Sequence, residues 1–392
     1  MKKIIFVITI ATFMCIFYGI QVFGEIISAS IGVPVSHTIA DDTMAETDGV
    51  SGTFMHVKLP LIPVGLGIES YKTNIKNSAP LKINTTGIHV DYSDSSSFHS
   101  NVIFPFSTTS NGYQVGIHAP YSSNSQFLNN DIRGYRDHGM QIDYSQNSVV
   151  QNNYFSNTWE GDPSPDHGYM TIHNWNGIGT EISSNQFYLY TNLGTDEGPI
   201  YHGGGLVHNN DIKIRLYSCG HMTGITVHNG ATVYENDIFI YDDGCSESYG
   251  IKADNSVVRD NSVHALGDVR PLQVGDRSNV YSNIFMGRYT GDSPFAGDGN
   301  INVTNSWRQA VHMYGGGVKL IDNSFVGYAQ GVSATNGSDY QIINNYFDLH
   351  ESWGFRMDGG SSQIRGNTLL FDGSNRHHST SPTDLNYRTS IN

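Results

Sequence analysis

The chain lacks any run of basic residues, and charged residues of both signs are scarce. Only 15% of its 392 residues are charged, and 21 Lys and Arg against 36 Asp and Glu give a formal net charge of −15. Phosphate binding requires a clustered basic surface, so this composition excludes nucleic acid as a partner. The same charge repels a polyanionic sugar unless local cations or bound Ca²⁺ intervene.

Long apolar runs are missing everywhere except at the start of the chain. Met1-Lys2-Lys3 is followed by an uncharged apolar run that ends at Phe23, and the small residue Gly24 comes next. This pattern predicts a secretory signal peptide over residues 1–24, with a retained membrane anchor as the alternative because the run is nearly long enough to span a bilayer. We therefore expect a secreted or cell-envelope protein with no stable membrane insertion after signal cleavage.

A short motif recurs along most of the chain. It consists of an apolar residue, two free positions, an Asn, one free position and another apolar residue, as in Phe127-x-x-Asn130-x-Ile132. The ten motif asparagines are Asn130, Asn153, Asn185, Asn210, Asn236, Asn261, Asn283, Asn323, Asn345 and Asn367. Steps of 22 residues, found three times between them, are too short for helix-pair repeats and suit one coil of a parallel β-helix.

The Asn interrupts the apolar–polar alternation of the strands, which indicates a bend between two strands. Asn tolerates the left-handed conformation that such a bend needs, and Asn side chains one coil apart can hydrogen-bond in a ladder. A second strand, often opened by Gly, follows each bend. The sequence thus predicts an all-β, right-handed parallel β-helix (solenoid) of about ten or more coils.

Four segments follow from the limits of the repeat. Residues 1–24 are the signal peptide, and residues 25–79 alternate like a β-hairpin that caps the first coil. Residues 80–372 form the β-helix, and residues 373–392 form a polar tail that we expect to be loose. Extra residues between the Asn and the next Gly-led strand cluster in the middle of the stack, which predicts functional loops at one corner.

The repeat resembles that of the pectate-lyase-like superfamily of right-handed parallel β-helix proteins, over roughly residues 80–372. Many of those relatives cut or epimerise polysaccharides, while others are surface or spike proteins, so the resemblance implies the fold and leaves activity open. Two known signatures match poorly. Asp162-Pro163-Ser164 departs from the Asp-Pro-His element of mannuronan C5-epimerases, and Gly220-His221-Met222 departs from the Gly-His-Gly of polygalacturonases.

Outward positions of the Gly-led strands predict two columns of polar side chains. The first column is Gln141, Thr171, Tyr201, Thr226, Lys252 and Gln273, and the second is Asp143, His173, His228 and Asp254. Proton abstraction beside a sugar carboxylate needs a base, a cation and an acid. We assign His173 or His228 as the base, Lys252 as the cation and Tyr201 as the acid, with Asp143 and Asp254 beside them. A solvated polar face is the alternative.

Loop residues supply candidate binding groups. The predicted substrate contacts are Trp159, His167, Tyr169, His221 and Tyr241. Carboxylates in the corner loops could hold Ca²⁺, and we expect such a site to use Asp166, Asp242 and Asp243, although loop carboxylates are commonly only hydrated. No other cofactor is expected.

Two cysteines remain after the signal segment. Cys219 and Cys245 each follow the Asn of their coil by nine residues, in loops of equal length. Equivalent residues of adjacent coils lie about 4.8 Å apart, which is within the Cα–Cα range of a disulfide. We expect a Cys219–Cys245 bond, and two aligned free thiols are the alternative.

Two functions remain open on the sequence alone. The first is a polysaccharide-modifying enzyme of the lyase or epimerase type that works through a central groove. The second is a non-catalytic cell-surface β-helix protein that binds glycan or serves a structural role. In both cases the expected partner is a polysaccharide or surface glycan. The sequence does not identify the sugar.

Overall fold

The computed structural model describes most of the chain from residue 86 to residue 371, with shorter pieces on either side. The described residues are 56–57, 74–76, 81–83, 86–90, 94–105, 113–157, 170–191, 198–216, 222–242, 248–295, 299–304, 306–350, 354–358, 361–371, 383–385 and 389–391. All regular structure within these ranges is β, and every described strand pair except one is parallel.

Each coil contributes one strand to each of three faces. Face 1 is a 13-stranded sheet of short strands that lead up to the motif Asn. Its strands are Asn74–Lys76, Ser97–His99, Gln126–Leu128, Val149–Gln151, Glu181–Ser183, Leu206–His208, Thr232–Tyr234, Val257–Arg259, Asn279–Tyr281, Lys319–Ile321, Tyr340–Ile343, Ser362–Arg365 and Thr389–Ile391.

Faces 2 and 3 together form a 24-stranded sheet. Face 2 follows the Asn and contains Leu81–Ile83, Val102–Pro105, Asp131–Arg133, Tyr154–Ser156, Gln186–Thr191, Asp211–Leu216, Asp237–Asp242, Ser262–Gly267, Ile284–Met286, Tyr346–Leu349 and Thr368–Phe371. Face 3 contains His56–Val57, Thr86–Val90, Tyr113–His118, Tyr135–Gln141, Met170–Asn174, Ile200–Gly203, Thr223–His228, Ser248–Ala253, Val269–Val274, Ser306–Tyr314, Phe355–Asp358 and Thr383–Leu385. Ser324–Thr335 runs across both faces without a break.

The motif asparagines form one buried hydrogen-bonded ladder, as predicted. From Asn101 to Asn345, each Nδ2 donates to the Oδ1 of the Asn one coil further on, over 2.8–3.0 Å. The same Oδ1 also accepts the backbone N–H of the preceding Asn. The ladder begins one coil earlier than predicted, at Asn101, where Phe98 and Ile103 occupy the apolar positions.

The left-handed residue of the bend is not the ladder Asn, which corrects the prediction. Positive φ belongs to the residue immediately before it, for example Asn129, Ser184, Glu235 and Asp322, all with φ of 54–56°. The residue type at this preceding position varies between coils, because its only role is to turn the backbone. The ladder position requires Asn because its amide must donate and accept at once.

The core consists of the apolar residues that flank each Asn. On face 1, Phe127, Val150 and Ile182 lie in register, and each is fully buried. Phe285, Phe325 and Phe347 stack on face 2 with ring centroids 4.7 and 5.0 Å apart. Side chains of equivalent shape thus repeat at the strand spacing, and each coil buries its neighbour's apolar side.

Strands at both ends of the chain continue the solenoid beyond the expected limits. His56–Val57 pairs in parallel with His89 and Val90, and Asn74–Lys76 pairs in parallel with Ser97–His99, where an antiparallel hairpin cap was expected. In the segment expected to be a loose tail, Thr383–Leu385 and Thr389–Ile391 pair in parallel with the preceding coil.

An antiparallel hairpin lies over face 2. Its strands are Tyr289–Asp292 and Asn300–Val303. Phe295, 2% exposed, packs with Phe239, Leu266 and Ile301 in a second apolar cluster. The longest insertion between ladder asparagines, from Asn283 to Asn323, thus covers part of face 2.

We expect the two bend positions to respond differently to substitution. Asn210→Ala removes the oxygen that accepts hydrogen bonds from the backbone N–H and the side-chain Nδ2 of Asn185 inside the core. It should therefore lower the free energy of unfolding by about 1–3 kcal/mol for each donor left without a partner. Asn209→Gly removes the side chain, but glycine adopts the same left-handed φ, so the free energy of unfolding should change by less than about 0.5 kcal/mol. Urea unfolding of the two variants measures the difference, and equal effects would contradict the division of roles.

Cys219 and Cys245 lie outside the described residues, so their bond stays a prediction. Leu216 and Asp242, three residues before each cysteine, are directly paired on adjacent coils. Peptide mapping without reductant should yield a linked Cys219–Cys245 peptide, and reduction should cost about 3 kcal/mol of stability. Alkylation of both thiols in the unreduced protein would contradict the bond.

Candidate functional site

The outward side of face 3 carries one continuous file of polar side chains. Strand register aligns His118, Gln141, His173, Tyr201, Thr226, Lys252, Gln273 and His312. These side chains lie on successive coils, so each is one strand spacing from the next, about 4.8 Å. The file crosses the middle coils, where the corner insertions occur.

One strand of this face is shifted by two residues relative to the predicted columns. Ile172, and not Met170, pairs with Met140, which moves His173 into the file of Gln141 and Tyr201. Thr171 was expected to point outward but is 2% exposed, and its Oγ1 lies 2.6 Å from the Tyr135 hydroxyl. A two-residue shift preserves the inward–outward alternation, so the sequence pattern could not distinguish the two frames.

The shift brings His173 against Asp143. Nδ1 of His173 lies 2.6 Å from Oδ1 of Asp143, and the two side chains are 16% and 14% exposed. Asp143 also accepts the Trp175 backbone N–H at 2.9 Å and the Gln141 Nε2–H at 2.8 Å. The carboxylate is therefore fixed from three sides, and it directs one ring nitrogen of His173 inward and leaves Nε2 for a ligand.

Aromatic rings surround this pair. The Tyr201 ring is centred 5.1 Å from that of His173 and is stacked on the indole of Trp175 at 5.5 Å with an interplanar angle of 7°. His228 lies 5.3 Å from Tyr201 and 5.1 Å from Trp175. Trp175 is 41% exposed, so its edge is open to a ligand.

Gly203 makes room for this arrangement. It occupies the outward position beside His228, and a Cβ there would lie 2.7 Å from Nε2 of that histidine. A side chain at residue 203 would therefore displace His228. The absence of a side chain at Gly203 thus leaves room for the ring of His228 beside Tyr201 and Trp175.

The pKa values of three groups in the site are lowered, two histidines by burial and Asp143 by hydrogen bonds. Burial, followed by the charges of His173 and His118, lowers the pKa of His138 to about 4 against the opposing effect of Asp143. Burial also lowers the pKa of His228, although Asp254 opposes it. Burial alone would raise the pKa of Asp143, but its bonds from His173, Trp175 and Gln141 outweigh burial and hold that pKa below its ordinary value.

Lys252 and Asp254 lie at the other end of this surface. The register places Tyr201, Thr226 and Lys252 on consecutive coils, so Lys252 is three spacings from His173, or ~14 Å. His228 is nearer to it, on the adjoining coil. Of the predicted catalytic residues, the structure therefore brings together His173, Asp143, Tyr201 and His228, and separates Lys252 from the first two.

The predicted binding and metal residues are only partly described. Trp159, His167, Tyr169, His221, Asp166 and Asp243 lie outside the described residues. Tyr241 lies on face 2 rather than face 3, with the Arg215 guanidinium carbon 3.9 Å from its ring centre. Asp242 is 1% exposed and accepts a hydrogen bond from Ser248 at 3.4 Å. In the part of the chain that the structure describes, no three His, Cys, Asp or Glu residues are grouped to hold a metal.

Comparison with family models agrees with this architecture. The model described as a right-handed β-helix region matches residues 64–212. The fold of the chain is a right-handed parallel β-helix. No curated protein matches it.

Solved structures similar to this β-helix include proteins of different kinds. PfbA, a surface adhesin of Streptococcus pneumoniae, is 12% identical over 81% of this chain and 90% of its own, with a TM-score of 0.35. The Agl-KA catalytic domain is 11% identical over 83% and 63%, also with a TM-score of 0.35. A DFA-IIIase mutant from Arthrobacter chlorophenolicus is 13% identical over 77% and 74%, with a TM-score of 0.36. Function therefore has to come from the site itself.

Two residues of the β-helix site did not enter the predicted set of site residues. Trp175 sits two residues after His173 and faces outward in either frame, but only the shifted frame places it beside Asp143. His138 precedes the Gly-led strand, and its ring is centred 5.5 Å from that of His173. The local signal for Trp175 is the Asp-Tyr and Trp-Asn pairs at the ends of successive face 3 strands, which place a polar or aromatic residue just before a bend.

The lowered pKa of His138 predicts a specific acid sensitivity. The unfolded chain binds a proton at this ring near pH 6.5 but the folded protein only near pH 4, so the contribution of neutral His138 is complete above pH 6.5 and is lost as the pH falls to 4. In His138→Asn the melting temperature should fall less steeply over that window than in the wild type. Thermal melts at half-unit pH steps measure this, and parallel curves would contradict it.

Proposed function

We propose that this protein is an extracytoplasmic enzyme that modifies a polysaccharide by proton abstraction from a sugar ring, as lyases and C5-epimerases do. The contact between His173 and Asp143 carries the proposal. A carboxylate that is mostly buried holds Nδ1 of the histidine and fixes its tautomer, so Nε2 is available as a general base. Such an arrangement is suited to removing a weakly acidic C–H proton.

Tyr201 is the proposed acid. Its ring stacks beside His173 on the next coil, so a sugar bound over face 3 would contact both side chains. The C5 proton passes to His173 Nε2, and the electron pair is held by the adjacent carboxylate group of the sugar. In a lyase the pair then expels the C4 oxygen, which Tyr201 protonates. In an epimerase the opposite side of C5 takes up a proton from solvent, because Tyr201 and His173 stand in one file on the same side of the sugar.

Lys252 has a different proposed role because it lies ~14 Å from His173. A cation at that distance binds the carboxylate of another unit of the same chain instead of the reacting one. The bound polysaccharide would therefore lie parallel to the solenoid axis and extend from His173 to Lys252. Lys252 also supplies a local positive charge on a protein whose formal net charge is −15.

A second candidate function is glycan binding without catalysis. The position of Lys252 favours it, since no described cation of the predicted set lies beside His173 to neutralise the reacting carboxylate. The exposed indole of Trp175 would serve a binding site equally well. Product formation distinguishes the two functions.

The proposed location outside the cytoplasm rests on the signal-like segment 1–24, which lies outside the described residues. Within the described ranges, no helix is long and apolar enough to cross a membrane.

Activity should depend on the dyad and on Tyr201. The wild type, incubated with alginate, pectate and neutral glycans, should give an unsaturated product that absorbs in the ultraviolet or an altered sugar composition. His173→Ala and Tyr201→Phe should each lower kcat by about 10²–10⁴-fold, because each removes a proton-transfer group. Asp143→Asn should lower kcat as well, because the amide no longer fixes the imidazole tautomer.

Ser333→Ala is the matched control, since Ser333 belongs to the same file two coils beyond Gln273. It should leave the rate within about twofold, as expected for the loss of one hydroxyl away from the reacting groups. Retention of a glycan without any product would favour the binding function. Full activity of His173→Ala would rule out the proposed site.

A further inference from the structure

The bend that ends each face 3 strand contains a residue with positive φ. Asn or Gly fills this position in five later coils, at Asn176, Gly204, Asn229, Asn255 and Asn336, and Arg277 fills it in another. Two consecutive coils place tyrosine there instead, Tyr121 with φ of 57° and Tyr144 with φ of 59°. A bulky residue in this conformation is an outlier, and such outliers concentrate at ligand sites.

The two tyrosines form an exposed pair. Their rings stack with centroids 5.0 Å apart and an interplanar angle of 6°. They are 44% and 42% exposed, so much of their apolar area faces solvent although many coils have only Asn or Gly at this bend. The aromatic rings at these two strained positions therefore face solvent and do not pack in the core.

The pair adjoins the proposed catalytic residues. Tyr144 directly follows Asp143, and its backbone N–H donates to the Trp175 carbonyl at 2.8 Å. The Tyr121 N–H donates to the Asp143 carbonyl at 2.8 Å. Tyr144 and Tyr121 thus continue the edge of face 3 one and two coils beyond Trp175, toward the amino-terminal end and opposite to Lys252.

We propose that Tyr121 and Tyr144 form a glycan subsite that binds sugar units on the amino-terminal side of the reacting unit. This inference rests on the proposed function, since it takes the occupant to be the same polysaccharide. The rings offer apolar surface to the C–H groups of sugar rings, and their hydroxyls offer hydrogen bonds at the rim. Only chains long enough to extend from His173 past Asp143 reach the pair.

The test replaces both tyrosines by the residue that other coils use. Tyr121→Asn with Tyr144→Asn relieves the backbone strain, so the melting temperature should stay the same or rise. Affinity electrophoresis in gels containing alginate, pectate or a neutral glycan should show about tenfold weaker retention by long chains, the change that ~1.4 kcal/mol of lost stacking gives. Competition by monosaccharides, which are too short to reach from His173 to the pair, should be unchanged.

Trp307→Ala is the control, because Trp307 is 70% exposed but belongs to a later coil. It should leave retention by long chains unchanged. Wild-type retention of long chains by the double variant would overturn the subsite and leave the proposed function standing. A wild-type protein that neither retains nor converts any of these glycans would overturn both.

Discussion

The asparagine ladder is the interaction on which the rest of the structure depends. Each rung uses both donors and the acceptor of its side-chain amide inside the core, so no polar atom needs water there. The ladder fixes the register of every coil against its neighbours at one corner. Loops between face 2 and face 3 can then vary in length without changing which face 3 side chains are aligned.

That fixed register explains why the fold was predictable from the sequence. The repeating Asn with flanking apolar residues specified the ladder, the inward residues and the parallel pairing, and these predictions are confirmed. Asn101 also fits the motif, as Phe98-x-x-Asn101-x-Ile103, so this rung was present in the sequence although the predicted ladder began at Asn130. The left-handed residue was misassigned because several bends have Asn at both positions, as at Asn129 and Asn130.

The candidate site was only partly predictable because its geometry depends on loop length. The residue types of the base, its carboxylate and the neighbouring tyrosine could be named. The contact between His173 and Asp143 could not be, since it requires the two-residue shift that brings Ile172 opposite Met140. The role of Gly203 also escaped the sequence, because a missing side chain becomes meaningful only once the ring of His228 is placed.

The ladder also has a direction. Every amide nitrogen points toward the carboxyl-terminal end of the solenoid and every amide oxygen toward the amino-terminal end, so the dipoles add and polarise one another. The two ends of the ladder are therefore unlike. The acceptor end at Asn101 meets the coil of Asn74–Lys76 and Leu81–Ile83, and the donor end at Asn367 meets the coil of Thr389–Ile391. A coil copied from the middle of the stack would fit this file in one orientation only.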